Sequence, residues 1–75
     1  MKATIVVDTK GMACPMPIVK AKKALETIAV GEVMEVVSTD MGSLNDFQAW
    51  VKGTKHEMLH HEENAGVYTF YVRKH

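Results

Sequence analysis

The sequence predicts an α+β fold: a two-layer α/β sandwich of order βαβαββ, with two helices on one face of a four-stranded mixed sheet. Three observations carry this. Valine- and isoleucine-rich runs at Lys2 to Asp8 and Val33 to Thr39 flank a segment whose apolar residues recur every three or four positions. A second segment of helical period opens at Ser43, and the C-terminal third alternates in period two around a turn. Two amphipathic helices and four strands satisfy one another best as two layers around one core.

The first strand, Lys2 to Asp8, is β-branched at Ile5, Val6 and Val7 and runs into Asp8-Thr9-Lys10-Gly11, a cluster of turn formers. The first helix is expected from Pro15 to about Ile28, with Ile18, Ala21, Leu25 and Ile28 on one stripe and Lys20, Lys22, Lys23 and Glu26 mostly off it. Gly31 marks a break before the second strand, Val33 to Thr39. Strand, helix, strand is the pattern of a right-handed parallel crossover, and reactive groups tend to collect at the carboxyl ends of such strands. Asp8, the turn carrying Cys14, and Thr39-Asp40 are expected to meet there.

The second helix is expected to begin at Ser43, because Ser43-Leu44-Asn45-Asp46 is a relative of the capping box with aspartate in place of glutamate. Leu44, Phe47, Trp50 and Val51 share one face, which places Trp50 in the core, and Lys52-Gly53-Thr54 ends the helix. Lys55 to His61 and Val67 to Arg73 form a terminal hairpin around Glu63-Asn64-Ala65-Gly66, where Asn64 and Gly66 supply the backbone freedom of a tight turn. With 75 residues, the chain reads as one small domain, 1–75.

Composition narrows the function. Nine basic and nine acidic residues cancel, which argues against direct nucleic-acid binding, since phosphate contacts need a basic surplus. There is no apolar run of transmembrane length, and Met1-Lys2-Ala3-Thr4 does not open a signal peptide, so a soluble cytoplasmic protein is expected, without membrane insertion. A single cysteine forms no disulfide within the chain and suits a reducing compartment.

The chemistry centres on that cysteine. Gly11-Met12-Ala13-Cys14-Pro15-Met16-Pro17 places Cys14 before a proline at a helix start. Pro15 biases Cys14 away from α geometry and suits the first helical position itself, so Cys14 is read as the N-cap. Pro15 and Pro17 lack N–H groups, which leaves Met16 N–H as the main free donor near the sulfur, alongside the positive end of the helix dipole. Helix N-termini lower thiol pKa values, and a rigid turn of two prolines and a glycine is a poor place to hide a core residue. Cys14 is therefore expected to be an exposed nucleophile supported by Gly11, Pro15, Met16 and Pro17.

These residues resemble those of the TusA/SirA family of small sulfur-carrier proteins, marked by a Cys-Pro-x-Pro turn at the start of the first helix. Here the turn is Cys14-Pro15-Met16-Pro17, preceded by Asp8, Gly11 and Met12 at the family's positions. Thr39-Asp40, Asp46 and the segment ending at His56-Glu57 also fall where the family has similar residues. The resemblance implies a sandwich like the C-terminal domain of a translation initiation factor and a persulfide carried covalently on Cys14, with no separate cofactor.

It also implies partners: a cysteine desulfurase, a rhodanese or a DsrE-like relay protein as donor or acceptor, in tRNA thiolation, sulfur oxidation or thiosulfate use. Asp40, Asp46, Lys20 and Lys23 are the candidate docking residues, and the free chain is expected to be monomeric. Ala13 and Met16 stand where many members have arginine and glutamate, which exchanges a charged recognition surface for a small and an apolar side chain. Whether such a carrier counts as a sulfurtransferase enzyme depends on its partners, which complete the chemistry.

Other classes make distinct demands. A nucleic-acid or translation-associated module would bind independently of Cys14, and a thiol redox regulator would oxidise Cys14 without a sulfur donor. A metal site among His56, His60, His61 and His75 is not expected, because neighbouring strand residues His60 and His61 point to opposite faces.

Overall fold

The computed structural model describes residues 2–13 and 15–75. Its elements are β1 (Ile5–Asp8), α1 (Met16–Leu25), β2 (Val33–Ser38), α2 (Ser43–Lys52), β3 (Glu57–Asn64) and β4 (Val67–Arg73). The order is the βαβαββ expected, and the strands form one sheet arranged β1-β2-β4-β3. β1 pairs parallel with β2, Val7 opposite Val36, while β2–β4 and β3–β4 are antiparallel. The sheet is therefore mixed, and its one parallel pair is the pair joined through α1.

The core follows from the two periodicities. Val7, Met34, Val36, Phe70 and Val72 are alternate strand residues buried on one side of the sheet, against Ala21 and Leu25 of α1 and Phe47 of α2. Phe47 and Phe70 stack with centroids 4.8 Å apart at 16°, and Trp50 meets Phe47 edge-on at 5.8 Å. Trp50 is half-buried and packs on the core with Leu44 and Val51, the face its spacing predicts.

Several boundaries move, each for a local reason. α1 stops at Leu25, and Ile28 reaches the core from a tighter turn in which Thr27 and Ile28 N–H donate to Ala24 and Leu25 carbonyls. α2 does begin at Ser43, but the capping box does not form. Gly42 is the N-cap, and the Ser43 hydroxyl donates backward to the Asp40 carbonyl at 2.7 Å. β3 starts only at Glu57, because Thr54 to His56 fold into a turn in which His56 N–H donates to Thr54 Oγ1. The hairpin loop shrinks to Ala65 and Gly66, at φ 53° and 82°, since Asn64 closes the ladder opposite Val67. Ala65, rather than Asn64, therefore takes the left-handed backbone.

Candidate functional site

The loop after β1 is fastened to the carboxyl end of β2. Thr9 is buried, and both its N–H and its Oγ1 donate to the Val37 carbonyl, at 2.8 and 2.7 Å. Lys10 N–H donates to Asp8 Oδ1 at 3.0 Å, an Asx turn, and Met12 N–H returns to the Thr9 carbonyl. Gly11 stands at φ +83°, a conformation an L side chain rarely adopts, and its N–H donates to Thr39 Oγ1 at 2.9 Å. Asp8, Gly11 and Thr39-Asp40 thus gather at one end of the parallel pair.

The loop enters α1 through Pro15, which is the N-cap at φ −96° and ψ 12°; Val19 N–H makes the first helical return bond to its carbonyl. This corrects the expected frame by one residue. Pro17, not Pro15, lies inside the first turn, where its missing N–H leaves nothing unpaired, and its ring is buried. Met16 N–H is not a free donor either, because it donates to the Ala13 carbonyl at 2.9 Å. Cys14, and with it the reading of its sulfur as capped and exposed, lies outside the described residues. No acidic side chain lies in the first turn of α1, so nothing there opposes the positive end of its dipole.

The four candidate docking residues separate into two groups. Lys20 Nζ donates to the Asp8 carbonyl at 3.1 Å, and Lys23 lines a groove between α1 and β1. Asp40 and Asp46 sit instead at the start of α2. A Cβ placed on Gly42 would lie 3.7 Å from Asp40 Oδ2 and 4.0 Å from Asp46 Oδ2. The Asp40 carbonyl accepts from both Ser43 N–H and Oγ, and Asp40 Oδ2 is buried without a hydrogen-bond partner among the described residues.

Thr9 is the anchoring residue that sequence reasoning missed. A threonine among turn formers gives no sign that its hydroxyl will turn inward; the bond spans 28 positions.

The histidines lie elsewhere. His60 pairs with Tyr71 and His61 with Phe70, so they face opposite sides of the sheet. His56 Nδ1 accepts from His75 N–H at 3.1 Å, and its ring lies 5.8 Å from Trp50. Burial, then the charges of His75 and Lys74, hold the His56 pKa below the usual histidine value. Among the described residues no group of three or more His, Cys, Asp or Glu side chains is arranged to hold a metal ion, and no helix is long and apolar enough to cross a membrane.

A family model described as sulfurtransferase TusA matches residues 5–74, from the first residue of β1 to beyond the end of β4. The chain belongs to the TusA family. It is 51% identical over 74 residues to YrkF of Bacillus subtilis, covering 99% of this chain but only 40% of YrkF. The sulfur carrier protein TusA of Allochromatium vinosum is 40% identical over 67 residues, 89% of this chain and 88% of that protein. The crystal structure of a SirA-like protein from Desulfitobacterium hafniense superposes with a TM-score of 0.79 at 30% identity, covering 92% of this chain and 95% of that one. That SirA-like protein therefore shares the sandwich described above.

Proposed function

We propose that this chain, a sulfur carrier by family, holds sulfane sulfur as a persulfide on Cys14 and relays it between partner proteins in the cytoplasm. The observation that supports this reading most directly is the Cys14-Pro15-Met16-Pro17 segment, which leads from the loop anchored on Val37 and Thr39 into the amino end of α1. In this reading Asp40 and Asp46 at the start of α2 and Lys20 and Lys23 on α1 serve partner docking.

The transfer balances without an added oxidant. Cys14 thiolate attacks the terminal sulfur of a donor persulfide; a new S–S bond forms at Cys14, the donor's S–S bond breaks, and the donor departs as a thiolate. The terminal sulfur stays anionic beside the helix start, where the dipole favours negative charge. An acceptor thiolate then attacks that sulfur and Cys14 leaves as thiolate. With one cysteine in the sequence, no second thiol within the chain resolves the persulfide before the acceptor arrives. In this reading a cysteine desulfurase, a rhodanese or a DsrE-like relay protein serves as donor or acceptor.

Intact mass after incubation with a cysteine desulfurase and cysteine tests the reading. The wild type gains one sulfur that a reductant removes, and Cys14→Ser gains none while keeping its circular dichroism spectrum. A wild-type protein that never gains removable sulfur, from a desulfurase or from a rhodanese with thiosulfate, overturns the reading. Gain of oxygen in place of sulfur assigns Cys14 to oxidant sensing instead.

A further inference from the structure

The sheet has two outer strands, and their residues treat the possibility of further pairing differently. β3 carries a bulge between Met58 and His60. Its charged Glu57, Glu62 and Glu63, with His60 and His61, fall on both faces. Bulges and charges on both faces are the usual means by which an outer strand repels a further strand. β1 has neither over Ile5-Val6-Val7: three uncharged β-branched residues in unbroken register with β2. Its side away from β2 pairs with no strand among the described residues.

Beside that side runs a groove of about 550 Å³ between β1 and α1. Ile5, Val6, Val7, Ala24 and Thr27 line it together with Lys20 and Lys23. Both lysines are exposed. Lys20 is held in place by its bond to the Asp8 carbonyl, which leaves two N–H groups of the ammonium for other acceptors. The one carboxylate on the groove, Asp8, is already engaged by Lys10 N–H. On the opposite face of the same strand Val6 is 60% exposed.

We propose that the free side of β1 accepts an extended acidic segment of a partner protein by strand addition. In that arrangement main-chain hydrogen bonds continue the sheet, and the two faces of the added strand meet different surfaces, as the period of two requires. Carboxylate side chains point to the α1 side, their methylenes over Ile5 and Ala24 and their charges at Lys20 and Lys23. Aliphatic side chains point to the other side and cover Val6. This docking is independent of whether Cys14 carries sulfur, although it sets the partner at the end of β1 from which the Cys14 turn departs.

The probe is an acetylated, amidated peptide alternating glutamate and valine, titrated into uniformly ¹⁵N-labelled protein. Saturable amide shifts are expected at Ile5, Val6 and Val7, with slower hydrogen exchange there and none at β3. Lys20→Glu combined with Lys23→Glu should weaken the affinity by about tenfold or more, since two attractive pairs become repulsive. The same peptide N-methylated on alternate residues should not bind, a control that needs no protein variant. Absence of saturable shifts, shifts centred on β3, equal binding of a lysine–valine peptide, or undiminished binding of the N-methylated peptide would each overturn the proposal.

Discussion

Gly11 N–H donates to Thr39 Oγ1 at 2.9 Å, and this single bond ties the loop leading to Cys14 to the residue that follows β2. Together with the two bonds from Thr9 to the Val37 carbonyl, it sets the path of the chain into α1. Thr39→Val keeps the side chain's shape and removes the acceptor. Gly11 is exposed, so its N–H turns to water and the stability loss should be about 0.5–1 kcal/mol. Amide exchange at Gly11 should accelerate while that of the core strands falls only by the global change. Unchanged exchange at Gly11 would show that the bond does not hold the loop.

Thr9 bears the larger share of that anchoring. Its hydroxyl is buried and donates to Val37, so Thr9→Val leaves an apolar group against a carbonyl that still accepts Thr9 N–H. A loss of about 1 kcal/mol is expected from urea unfolding, with Thr9→Ser closer to wild type because the donor is kept. If Thr9→Ser is as destabilising as Thr9→Val, methyl packing rather than the hydrogen bond accounts for the burial.

Ala65 is a non-glycine residue at φ 53° in a two-residue loop followed by Gly66 at φ 82°. Left-handed geometry at both positions is that of a type I′ turn, for which Asn-Gly is favoured over Ala-Gly. Ala65→Asn should raise stability by about 0.5–1 kcal/mol, seen as a rise of a few degrees in the melting temperature. A fall in melting temperature would mean that the alanine backbone is not under this constraint.

His56 supplies a pH dependence whose sign is fixed by its surroundings. Burial, then His75 and Lys74, lower its pKa in the folded state, and its Nδ1 is an acceptor for His75 N–H, a role open only to the neutral ring. Above the unfolded-state value of about 6.5 the ring is neutral in both states and the contribution is fully present. As pH falls below that, the unfolded chain takes the proton first, and stability is lost until pH has passed the lowered folded value. Melting temperature should therefore fall between pH 7.5 and 5, and His56→Gln should flatten the part of the curve that belongs to this residue. An identical pH profile in the variant would remove His56 from the account.

Phe47, with Phe70 the largest of the fully buried side chains, is stacked on Phe70 and touched by Trp50. Phe47→Ala should cost about 3–5 kcal/mol, a large part of the stability of a domain this small. Chemical denaturation would measure it, and a loss below about 1 kcal/mol would indicate that the two layers are not joined through this contact.

Much of this was legible in the one-dimensional pattern. Alternation of Tyr68, Phe70 and Val72 with Val67, Thr69 and Tyr71, and the three- and four-residue spacing of Ala21, Leu25 and Phe47, Val51, name the inward faces because side-chain direction follows backbone period. The same holds for the Cys14-Pro15-Met16-Pro17 turn, whose residues announce a helix start and a family without any long-range information. What depended on tertiary structure was every bond that spans the fold. Thr9 turned inward because the Val37 carbonyl on β2 lies in reach, and Gly11 N–H found Thr39 Oγ1, each across 28 positions, whereas the N-cap at Pro15 and the left-handed Ala65 go with local pairs, Met16 N–H with the Ala13 carbonyl and Asn64 with Val67. Local preferences among neighbouring conformers differ by about 1 kcal/mol, so a single hydrogen bond or one ladder pair from a distant strand is enough to choose between them.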